Sequence, residues 1–414
     1  MVIIVNKLIT FPSKIKGTVK ISGSKNSSLA IIAASLVSGN LVSLDNVPNI
    51  SDIKNFLEIL NDIGVKTYFK NNKLKLKNNP IYMELLSSKV REFRASYYLM
   101  SVFLSLFKKV EILYPGGCSI GSRPIDFHLE GFKKAGCIVS DESSVIKIEV
   151  KELIPFVYEL PKKSLGATVN LMILASKIEG TSIIKNASTE PEIDDLITFL
   201  NKGNVTVYRQ KNDIVIKGQK QKVTKIKHKI IPDRIEAFTY IIIGLNSKKL
   251  IVKNIETNHL KVPLYFIKKA GGIIRVKRNQ ITIKESIINK VCVNSFDYPS
   301  LSTDQMPLLY PVMTNVDGTS IFTEGIFDGR FKVCEELKKS GANINVENNK
   351  VYIKGVNELH SADYFATDLR GAATLLIECI LRPGSSLSNL HYLERGYDNI
   401  YNKLKKIGLN FKLE

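Results

Sequence analysis

The feature that most constrains the fold is a pattern of about 70 residues that occurs six times along the chain, starting at residues 38, 107, 178, 246, 316 and 381. Each copy reads as a short strand, a loop, an amphipathic helix that ends near a glycine, and another strand. The helix-ending glycines lie 67 to 72 residues apart, at Gly64, Gly136, Gly203, Gly271, Gly341 and Gly408. Solenoid repeats are usually about 20 to 50 residues long, so this period favours six α-plus-β units over a solenoid.

Single copies support this interpretation. Phe56, Leu57, Leu60 and Ile63 fall at helical spacing, and the glycine that follows them suits a left-handed cap. In the fifth copy, apolar residues alternate with polar ones on both sides of the polar tip 347–350. That alternation predicts a half-buried strand pair.

The length of 414 residues predicts two domains, because one core of this size would be unusual. Six units divided between two domains gives three in each. A lysine-rich run after the third unit ends at Pro232 and marks one crossing, and the strand through Ile21 precedes the first helix and can join the other domain. We therefore expect a discontinuous domain, residues 1–22 with 233–414, and an inserted domain, residues 23–232. A cleft between two such domains would be a natural ligand site.

Composition excludes several classes of protein. Hydrophobic residues make up 44% and charged residues 24%, which is typical of a globular chain and not of a disordered one. No run approaches the roughly 18 to 20 apolar residues of a membrane span, and the N-terminus does not resemble a signal peptide, so we expect a cytoplasmic protein with no membrane partner. The five cysteines form no CxxC pair, which argues against a zinc site or a disulfide framework.

The formal net charge of +20 would attract a polyanion, which keeps nucleic-acid binding open as an alternative. The alternative without a binding function is an ordinary solvated lysine surface, because the lysines are spread along the whole chain. The arginines are more informative, since five of the 11 lie in short motifs where a planar guanidinium could hold a phosphate or carboxylate. They are Arg94, Arg123, Arg330, Arg370 and Arg395.

The densest motif is Tyr-Pro-Gly-Gly-Cys-Ser-Ile-Gly-Ser-Arg-Pro at residues 114–124. Its prolines and glycines predict a loop, so Cys118 is poorly placed for packing. Backbone N–H groups and Arg123 would favour the thiolate and create an anion site. Cys137, Cys334 and Cys379 lie in apolar contexts and fit buried, inert thiols.

Two further motifs leave structural alternatives open. Lys25 and Asn26 follow a strand and begin a helix, which suits an anion but also an ordinary capping turn. Asp304 lies between turn residues and an apolar helix, where it is either a reactive carboxylate or a helix cap. Arg330, Arg370 and Arg395 lie on repeat edges beside glycines, which suggests a shared anionic ligand rather than separate surface ion pairs.

Together these residues resemble the enolpyruvyl transferases, and within that family the members that act on UDP-N-acetylglucosamine. The motifs GSKN, RAS, PGGCSIGSRP, SLGATV, PEI, PDRIEA, FDGRF, ATDLR and ERGY occur in the family's order from the first strand to the end of the chain. The resemblance implies an α+β fold of two domains, the inside-out α/β barrel, with three βαβαββ units in each.

The resemblance also implies roles for individual residues. The reacting centre and phosphoenolpyruvate would involve Lys25, Asn26, Arg94, Arg123, Asp368, Arg370 and Arg395. The residues around the UDP-sugar would be Pro124, Asp126, Phe127, Lys162, Ser164, Leu165, Gly166, Asp304 and Ile326, with Arg330 as the companion of Asp304. Cys118 matches the loop cysteine that fosfomycin modifies in the family.

The implied reaction transfers the enolpyruvyl group of phosphoenolpyruvate to the 3-hydroxyl of UDP-N-acetylglucosamine and releases phosphate. Cys118 would be the acid and Asp304 the base or the partner that orients the hydroxyl, with Lys25 and Arg395 in the catalytic group and no metal or cofactor. A transferase acting on shikimate 3-phosphate is the alternative within the fold, although the Cys118 loop and the Lys-Asn pair argue against it. A non-catalytic basic protein that binds nucleic acid is the alternative outside it.

Overall fold

The computed structural model describes residues 7–114, 116, 125–142, 144–326 and 330–414. Contacts divide this part of the chain into two compact units. The terminal unit consists of the described residues of 7–22 and 232–414, and the inserted unit of those of 23–231. Each unit has an apolar core of its own.

The strands are mostly four to seven residues long. They are β1 (Lys7–Thr10), β2 (Lys16–Lys20), β3 (Gly39–Asp45), β4 (Lys66–Lys70), β5 (Lys73–Lys77), β6 (Lys109–Leu113), β7 (Ile138–Glu142), β8 (Val145–Glu149), β9 (Val157–Glu159), β10 (Gly180–Lys185), β11 (Thr206–Gln210), β12 (Asp213–Gly218), β13 (Val223–Lys229), β14 (Lys249–Lys253), β15 (Ile273–Lys277), β16 (Gln280–Lys284), β17 (Cys292–Ser295), β18 (Thr319–Glu324), β19 (Asn343–Glu347), β20 (Lys350–Lys354), β21 (Asp363–Phe365), β22 (Ser386–Ser388) and β23 (Phe411–Leu413).

The helices alternate with these strands. They are α1 (Lys25–Ser38), α2 (Ser51–Asp62), α3 (Ser88–Glu92), α4 (Tyr98–Phe107), α5 (Asp126–Lys134), α6 (Leu165–Ala175), α7 (Pro191–Lys202), α8 (Arg234–Gly244), α9 (Lys261–Lys269), α10 (Tyr310–Met313), α11 (Lys332–Lys338), α12 (Leu369–Leu381), α13 (His391–Glu394) and α14 (Ile400–Lys406). Short 3-10 turns span Arg94–Tyr97, Thr257–Leu260 and Met306–Leu309.

The sheets of the inserted unit share one plan. In the orders β13-β3-β5-β4 and β9-β10-β12-β11, a parallel pair at one edge is followed by antiparallel neighbours. The third sheet, β6-β8-β7, is antiparallel, and an isolated parallel bridge between Leu85 and Ile112 takes the place of its fourth strand. Its repeat therefore follows the same plan with one strand reduced to a bridge.

The terminal unit repeats this plan in the orders β2-β14-β16-β15, β17-β18-β20-β19 and β21-β22-β1-β23. The predicted hairpin of the fifth copy is β19–β20, in which Val346 pairs with Val351 and Ile344 with Ile353. Among the described strands, each unit thus contains three open sheets and none is a closed barrel. The predicted α+β class and the three repeats in each unit are confirmed.

One helix-ending glycine does not have the left-handed conformation predicted for it. Gly64 has φ of 84°, and four of the other five also have positive φ. Gly203 does not, since its φ is −87°, and the next residue, Asn204, has φ of 61°. Helix α7 ends at Lys202, directly before Gly203 as predicted, but the left-handed position falls on the next residue, Asn204, because asparagine tolerates it better than most side chains.

Some helices are buried on all sides rather than on one face. Nearly every residue of α1, α4 and α6 is buried in the inserted unit, as is every residue of α8 and α12 up to its last in the terminal unit. Helices α2 and α7 bury only one face. A helix that is apolar all round belongs inside a core. No helix in the described ranges is long and apolar enough to cross a membrane.

Candidate active site

Several of the predicted site residues lie at or next to the N-termini of buried helices. In the inserted unit Ser24 caps α1 and Ser164 caps α6, and in the terminal unit Asp233 caps α8 and Asp368 caps α12. The partial positive charge and the unpaired N–H groups of a helix N-terminus favour anions. Four of the predicted motifs therefore lie at helix N-termini, which attract anions.

The first turn of α1 carries the predicted Lys25 and Asn26. Ser24 Oγ accepts a hydrogen bond from the Ser27 N–H at 3.3 Å, so the ordinary capping turn is present. Lys25 does not take part in that cap, and its ammonium pairs with Asp52 in the first turn of α2. A Cβ at Gly23 would lie 1.7 Å from the Asn46 carbonyl oxygen, so only glycine fits before this turn. The capping turn and a fixed cation therefore coexist.

Three predicted segments of the inserted unit meet around Tyr97. The Arg94 guanidinium lies 5.7 Å from the centre of the Tyr97 ring, which is a cation–π distance. The ring packs edge-on against His128 of α5 at 4.9 Å. A Cβ at Gly166 would lie 2.6 Å from the Tyr97 hydroxyl. The structure thus brings Arg94, the start of α5 and the start of α6 together.

His128 is held neutral in this cluster. The Asn170 amide lies 2.8 Å from its Nδ1, and Asn170 also donates to the Tyr97 carbonyl and accepts from Ser101. Burial, with Arg94 adding repulsion, lowers the pKa of His128 to about 3. A neutral imidazole with Nδ1 accepting from the amide satisfies both side chains.

This histidine makes stability depend on pH. In the unfolded chain it would titrate near pH 6.5, so between that pH and about 3 the unfolded state binds a proton that the folded state excludes. The stability contribution is complete above pH 6.5 and falls by about 1.4 kcal/mol per pH unit below it. We expect His128→Gln to flatten this slope in urea unfolding between pH 4.5 and 7.5. The exposed His360→Gln is the matched control, and equal slopes in both variants would contradict the assignment.

The other predicted sugar-site residues of the inserted unit lie at the starts of α5 and α6. Asp126 and Lys162 are exposed, while Phe127, Ser164 and Leu165 are partly buried. Ser164 Oγ accepts from the Ala167 N–H at 3.3 Å, so this hydroxyl caps α6. Cys118, Arg123 and Pro124 lie outside the described residues.

The terminal unit contains a carboxylate between two arginines. One Asp304 oxygen accepts from the Arg330 guanidinium, and the other accepts from Arg370 at 3.1 Å. Both guanidinium groups are buried, whereas the Asp304 side chain is 22% exposed. The turn that follows Asp304 has no side-chain cap, so Asp304 is not a helix cap there. The arrangement is a charged carboxylate that solvent, or a ligand, can reach.

Buried polar groups hold Arg330 in place. Its Nε donates to Thr303 at 3.2 Å, and the Thr303 hydroxyl donates to Glu324 at 2.7 Å. The second Glu324 oxygen accepts from the Ile326 N–H at 2.8 Å. Sequence reasoning missed Glu324, which links the Asp304 segment to the predicted sugar-site residue Ile326. A glutamate at the end of a strand gave no signal of this.

Asp368 and Tyr397 support Arg370. Asp368 Oδ1 accepts from the Arg370 and Gly371 N–H groups at 2.9 and 3.1 Å, so its observed role is to cap α12. The Tyr397 side chain is hydrogen-bonded to the Arg370 side chain, and its hydroxyl oxygen lies 2.8 Å from the Thr239 hydroxyl oxygen. Burial disfavours the charge of Arg370, but the attractions of Asp304, Tyr397 and Asp233 together outweigh burial and raise the pKa of Arg370. Arg395, two residues before Tyr397, is half-buried at the end of α13.

A second buried cluster fixes Ser22, the last residue of the terminal unit before Gly23. The Ser22 N–H donates to Glu236 at 2.9 Å, and Lys403 donates both to Glu236 and to the Ser22 hydroxyl. The same hydroxyl donates to Asp398 at 3.2 Å. Burial raises the pKa of Glu236, and Lys403 opposes that shift. Sequence reasoning did not single out these three charged residues.

The cysteines within the described ranges differ in exposure. Cys137, Cys334 and Cys379 are buried, as predicted, while Cys292 is exposed. Burial raises the pKa of Cys137 and Cys334 to about 12 and the pKa of Cys379 well above its usual value. Across the described part of the chain, no group of three or more His, Cys, Asp or Glu side chains is arranged to hold a metal ion.

Comparison with known proteins places this geometry in a family. The family of EPSP synthase (3-phosphoshikimate 1-carboxyvinyltransferase) matches residues 9–404. The enolpyruvyl transferase NikO of Streptomyces tendae superposes with a TM-score of 0.90 at 21% identity, covering 99% of this chain and 98% of that one. An EPSP synthase of Acinetobacter baumannii gives 0.77 at 15% identity, covering 99% and 100%. These structures establish the fold.

Curated relatives narrow the assignment. UDP-N-acetylglucosamine 1-carboxyvinyltransferase 1 of Carboxydothermus hydrogenoformans is 38% identical over 403 residues, covering 96% of both chains. The UDP-N-acetylglucosamine 1-carboxyvinyltransferase of Fervidobacterium nodosum is 37% identical over 407 residues, covering 97% of this chain and 96% of the relative. The chain therefore belongs to the UDP-N-acetylglucosamine 1-carboxyvinyltransferases, within the wider family of enolpyruvyl transferases.

Proposed function

We propose that this protein transfers the enolpyruvyl group of phosphoenolpyruvate to the 3-hydroxyl of UDP-N-acetylglucosamine and releases phosphate, the first committed step of peptidoglycan synthesis. Full-length relatives that carry this activity in their names support the proposal. The observation that carries it is the Asp304 carboxylate, held on two buried guanidinium groups and still partly exposed.

The reaction is an addition followed by an elimination. In the addition, the sugar oxygen bonds to C2 of phosphoenolpyruvate while its proton leaves and another proton reaches C3. In the elimination, the C–O bond to phosphate breaks and C3 gives up a proton, which restores the double bond. We assign the acid at C3 to Cys118 and the group at the sugar hydroxyl to Asp304. The thiol can also add across the C2=C3 double bond, its sulfur bonding to C2 while C3 takes up a proton, which gives a covalent adduct.

The surroundings of Asp304 bear on its role. Two guanidinium groups occupy both oxygens of the Asp304 carboxylate in this arrangement. To orient the sugar hydroxyl, Asp304 needs to accept only one hydrogen bond from it, on the exposed part of its carboxylate. Full proton abstraction is easier if Arg330 or Arg370 turns toward the carboxylate or phosphate of the other substrate. We propose that Asp304 first orients the sugar hydroxyl. It then accepts the hydroxyl proton as Arg330 or Arg370 turns from Asp304 to the other substrate.

Phosphoenolpyruvate needs cationic partners for both its phosphate and its carboxylate. We assign this role to Lys25, Arg94, Arg123, Arg370 and Arg395, with the Asn26 amide as a neutral donor. The assignment of Lys25 and Arg370 has the most support, because each lies in the first turn of a buried helix and pairs with an aspartate. Asp368 would act through its cap on α12.

We assign the UDP-sugar to the starts of α5 and α6 and to the segment after β18. The residues are Pro124, Asp126, Phe127, Lys162, Ser164, Leu165, Gly166, Ile326 and Arg330, together with Asp304. The Tyr97–His128 packing supports this assignment, because it fixes the start of α6 against α5. We propose a cytoplasmic enzyme that needs neither metal nor cofactor and has no nucleic-acid partner.

Release of phosphate tests the proposal. We expect the purified protein to release phosphate from phosphoenolpyruvate only when UDP-N-acetylglucosamine is present, with one phosphate for each sugar consumed. Shikimate 3-phosphate is the control acceptor and should give none. Release with shikimate 3-phosphate and none with the UDP-sugar would overturn the proposal. Tight binding of nucleic acid that weakens steeply with salt, without any turnover, would point to the non-catalytic alternative.

A further inference from the structure

A buried carboxylate on α7 joins three segments of the inserted unit. Asp195 Oδ2 accepts from the Ser27 hydroxyl and from the Ile231 N–H at 3.2 Å, while Oδ1 contacts His228 Nε2 at 2.8 Å. Ser27 lies in the first turn of α1 and His228 in β13. The Ile231 carbonyl in turn accepts from the Ser24 N–H at 2.7 Å. Asp195 therefore closes a ring of bonds around the start of α1.

The direction of each hydrogen bond in this ring can be assigned. The Lys202 ammonium lies 3.1 Å from His228 Nδ1, and an ammonium can only donate. Nδ1 is therefore the acceptor, so His228 carries its proton on Nε2 and donates it to Asp195. Both oxygens of Asp195 face donors only, which fits the ionised carboxylate.

Packing alone does not account for an aspartate at this position. Asp195 and His228 are both buried, and burying a charged group costs free energy even when it is paired. The neighbouring inward residues of α7, Ile193, Leu196 and Phe199, fill the core without polar groups. What Asp195 adds is a fixed position for Ser27, which follows Lys25 and Asn26 directly.

We propose that Asp195, oriented by His228 and Lys202, is a positioning residue for the reaction. It holds the first turn of α1 so that the Lys25 ammonium and the Asn26 amide keep the geometry they need toward the anionic substrate. The role in turnover rests on the proposed function, whereas the clamp on α1 does not.

The test uses variants that change the donor pattern with little change in volume. In Asp195→Asn one of the two acceptor positions becomes an NH₂ group, which faces either His228 Nε2–H or the Ile231 N–H, both of them donors. If the imidazole proton moved to Nδ1, it would face the Lys202 ammonium instead. Asp194→Asn is the matched control, because Asp194 is the adjacent residue of the same helix, is 59% exposed and pairs with Arg209. His228→Gln keeps a donor toward Asp195 and an acceptor toward Lys202, whereas His228→Leu keeps neither.

We expect Asp195→Asn to lower kcat at least about tenfold and to raise the KM for phosphoenolpyruvate, with the KM for UDP-N-acetylglucosamine changed less than about twofold. His228→Leu should show the same changes in kcat and KM as Asp195→Asn, while His228→Gln and Asp194→Asn should keep most of the activity. A loss of kcat that His228→Gln shares with His228→Leu, or equal changes in both KM values, would overturn the positioning role.

Amide hydrogen exchange provides a second measurement that needs no turnover. Exchange in residues 22–30 should rise at least about tenfold in Asp195→Asn and His228→Leu, and stay unchanged in Asp194→Asn. Exchange that rises equally in all peptides of the inserted unit would mean a general loss of stability and would overturn the clamp. If the wild-type protein does not turn over this substrate pair, the proposed function fails and the exchange data alone decide the clamp.

Discussion

Replacing Asp304 by alanine should lower kcat by about 10² to 10⁴-fold, the usual range for loss of a group that moves or orients a reacting proton. The variant loses the carboxylate that pairs with both the Arg330 and the Arg370 guanidinium groups. The KM for phosphoenolpyruvate should stay equal or fall, because the two guanidinium groups remain and lose a competing anion. Steady-state kinetics with both substrates varied measure these quantities.

The Asp304→Ala substitution is also expected to lower the free energy of unfolding. Two buried positive charges would lose their common partner, which costs at most about 3 kcal/mol because Asp304 is itself partly exposed. Assays well below the unfolding temperature separate this cost from the loss of kcat. Asp317→Ala, an exposed aspartate of the same unit, is the control and should behave as wild type.

A comparison with Lys25→Ala defines the role of Asp304. Loss of Lys25 removes a cation from the first turn of α1, so its effect should be mainly on binding of the anionic substrates. The loss of turnover in Asp304→Ala should exceed the loss of sugar binding in Lys25→Ala. Equal effects would mean that Asp304 only positions its neighbours.

The repeat architecture was predictable because its signals are local. Each repeat is marked by three features that occupy fewer than about 20 residues each: a helix period, a terminal glycine and an alternating strand pair. Each feature is weak evidence alone, but the same set occurs six times. The error at Gly203 has the same origin. The left-handed position after α7 is filled by Asn204, so a search for glycine alone placed that position one residue too early.

The partners of the predicted residues could not be found in this way. Lys25 pairs with Asp52, Thr303 with Glu324, and Ser27 with Asp195, across 27, 21 and 168 residues. Each pair forms only when two helices or strands pack together, and an acidic residue at a helix start is common for the helix dipole alone. Motif analysis therefore gave candidate residues, whereas the contacts that hold them came from the tertiary structure.

Turnover should be abolished when Cys118 is replaced by alanine, and some of it should survive in Cys118→Asp. Addition to phosphoenolpyruvate needs an acid at C3, and a carboxylic acid can supply a proton from the same place while a methyl group cannot. Phosphate release measures both variants, and retention in neither, with the fold intact, would argue against the acid role. Cys292→Ala is the control, because Cys292 is exposed and belongs to no predicted site.

Thiol labelling gives an independent measure of the same residue. Cys137, Cys334 and Cys379 are buried and have raised pKa values, so their thiolates should react slowly in the folded protein. In Cys292→Ala, fast labelling should therefore report on Cys118 alone, and it should slow when phosphoenolpyruvate and UDP-N-acetylglucosamine are both present. If the label reaches Cys118 no faster than the buried thiols, an activated cysteine is excluded and the acid must be sought elsewhere in the protein.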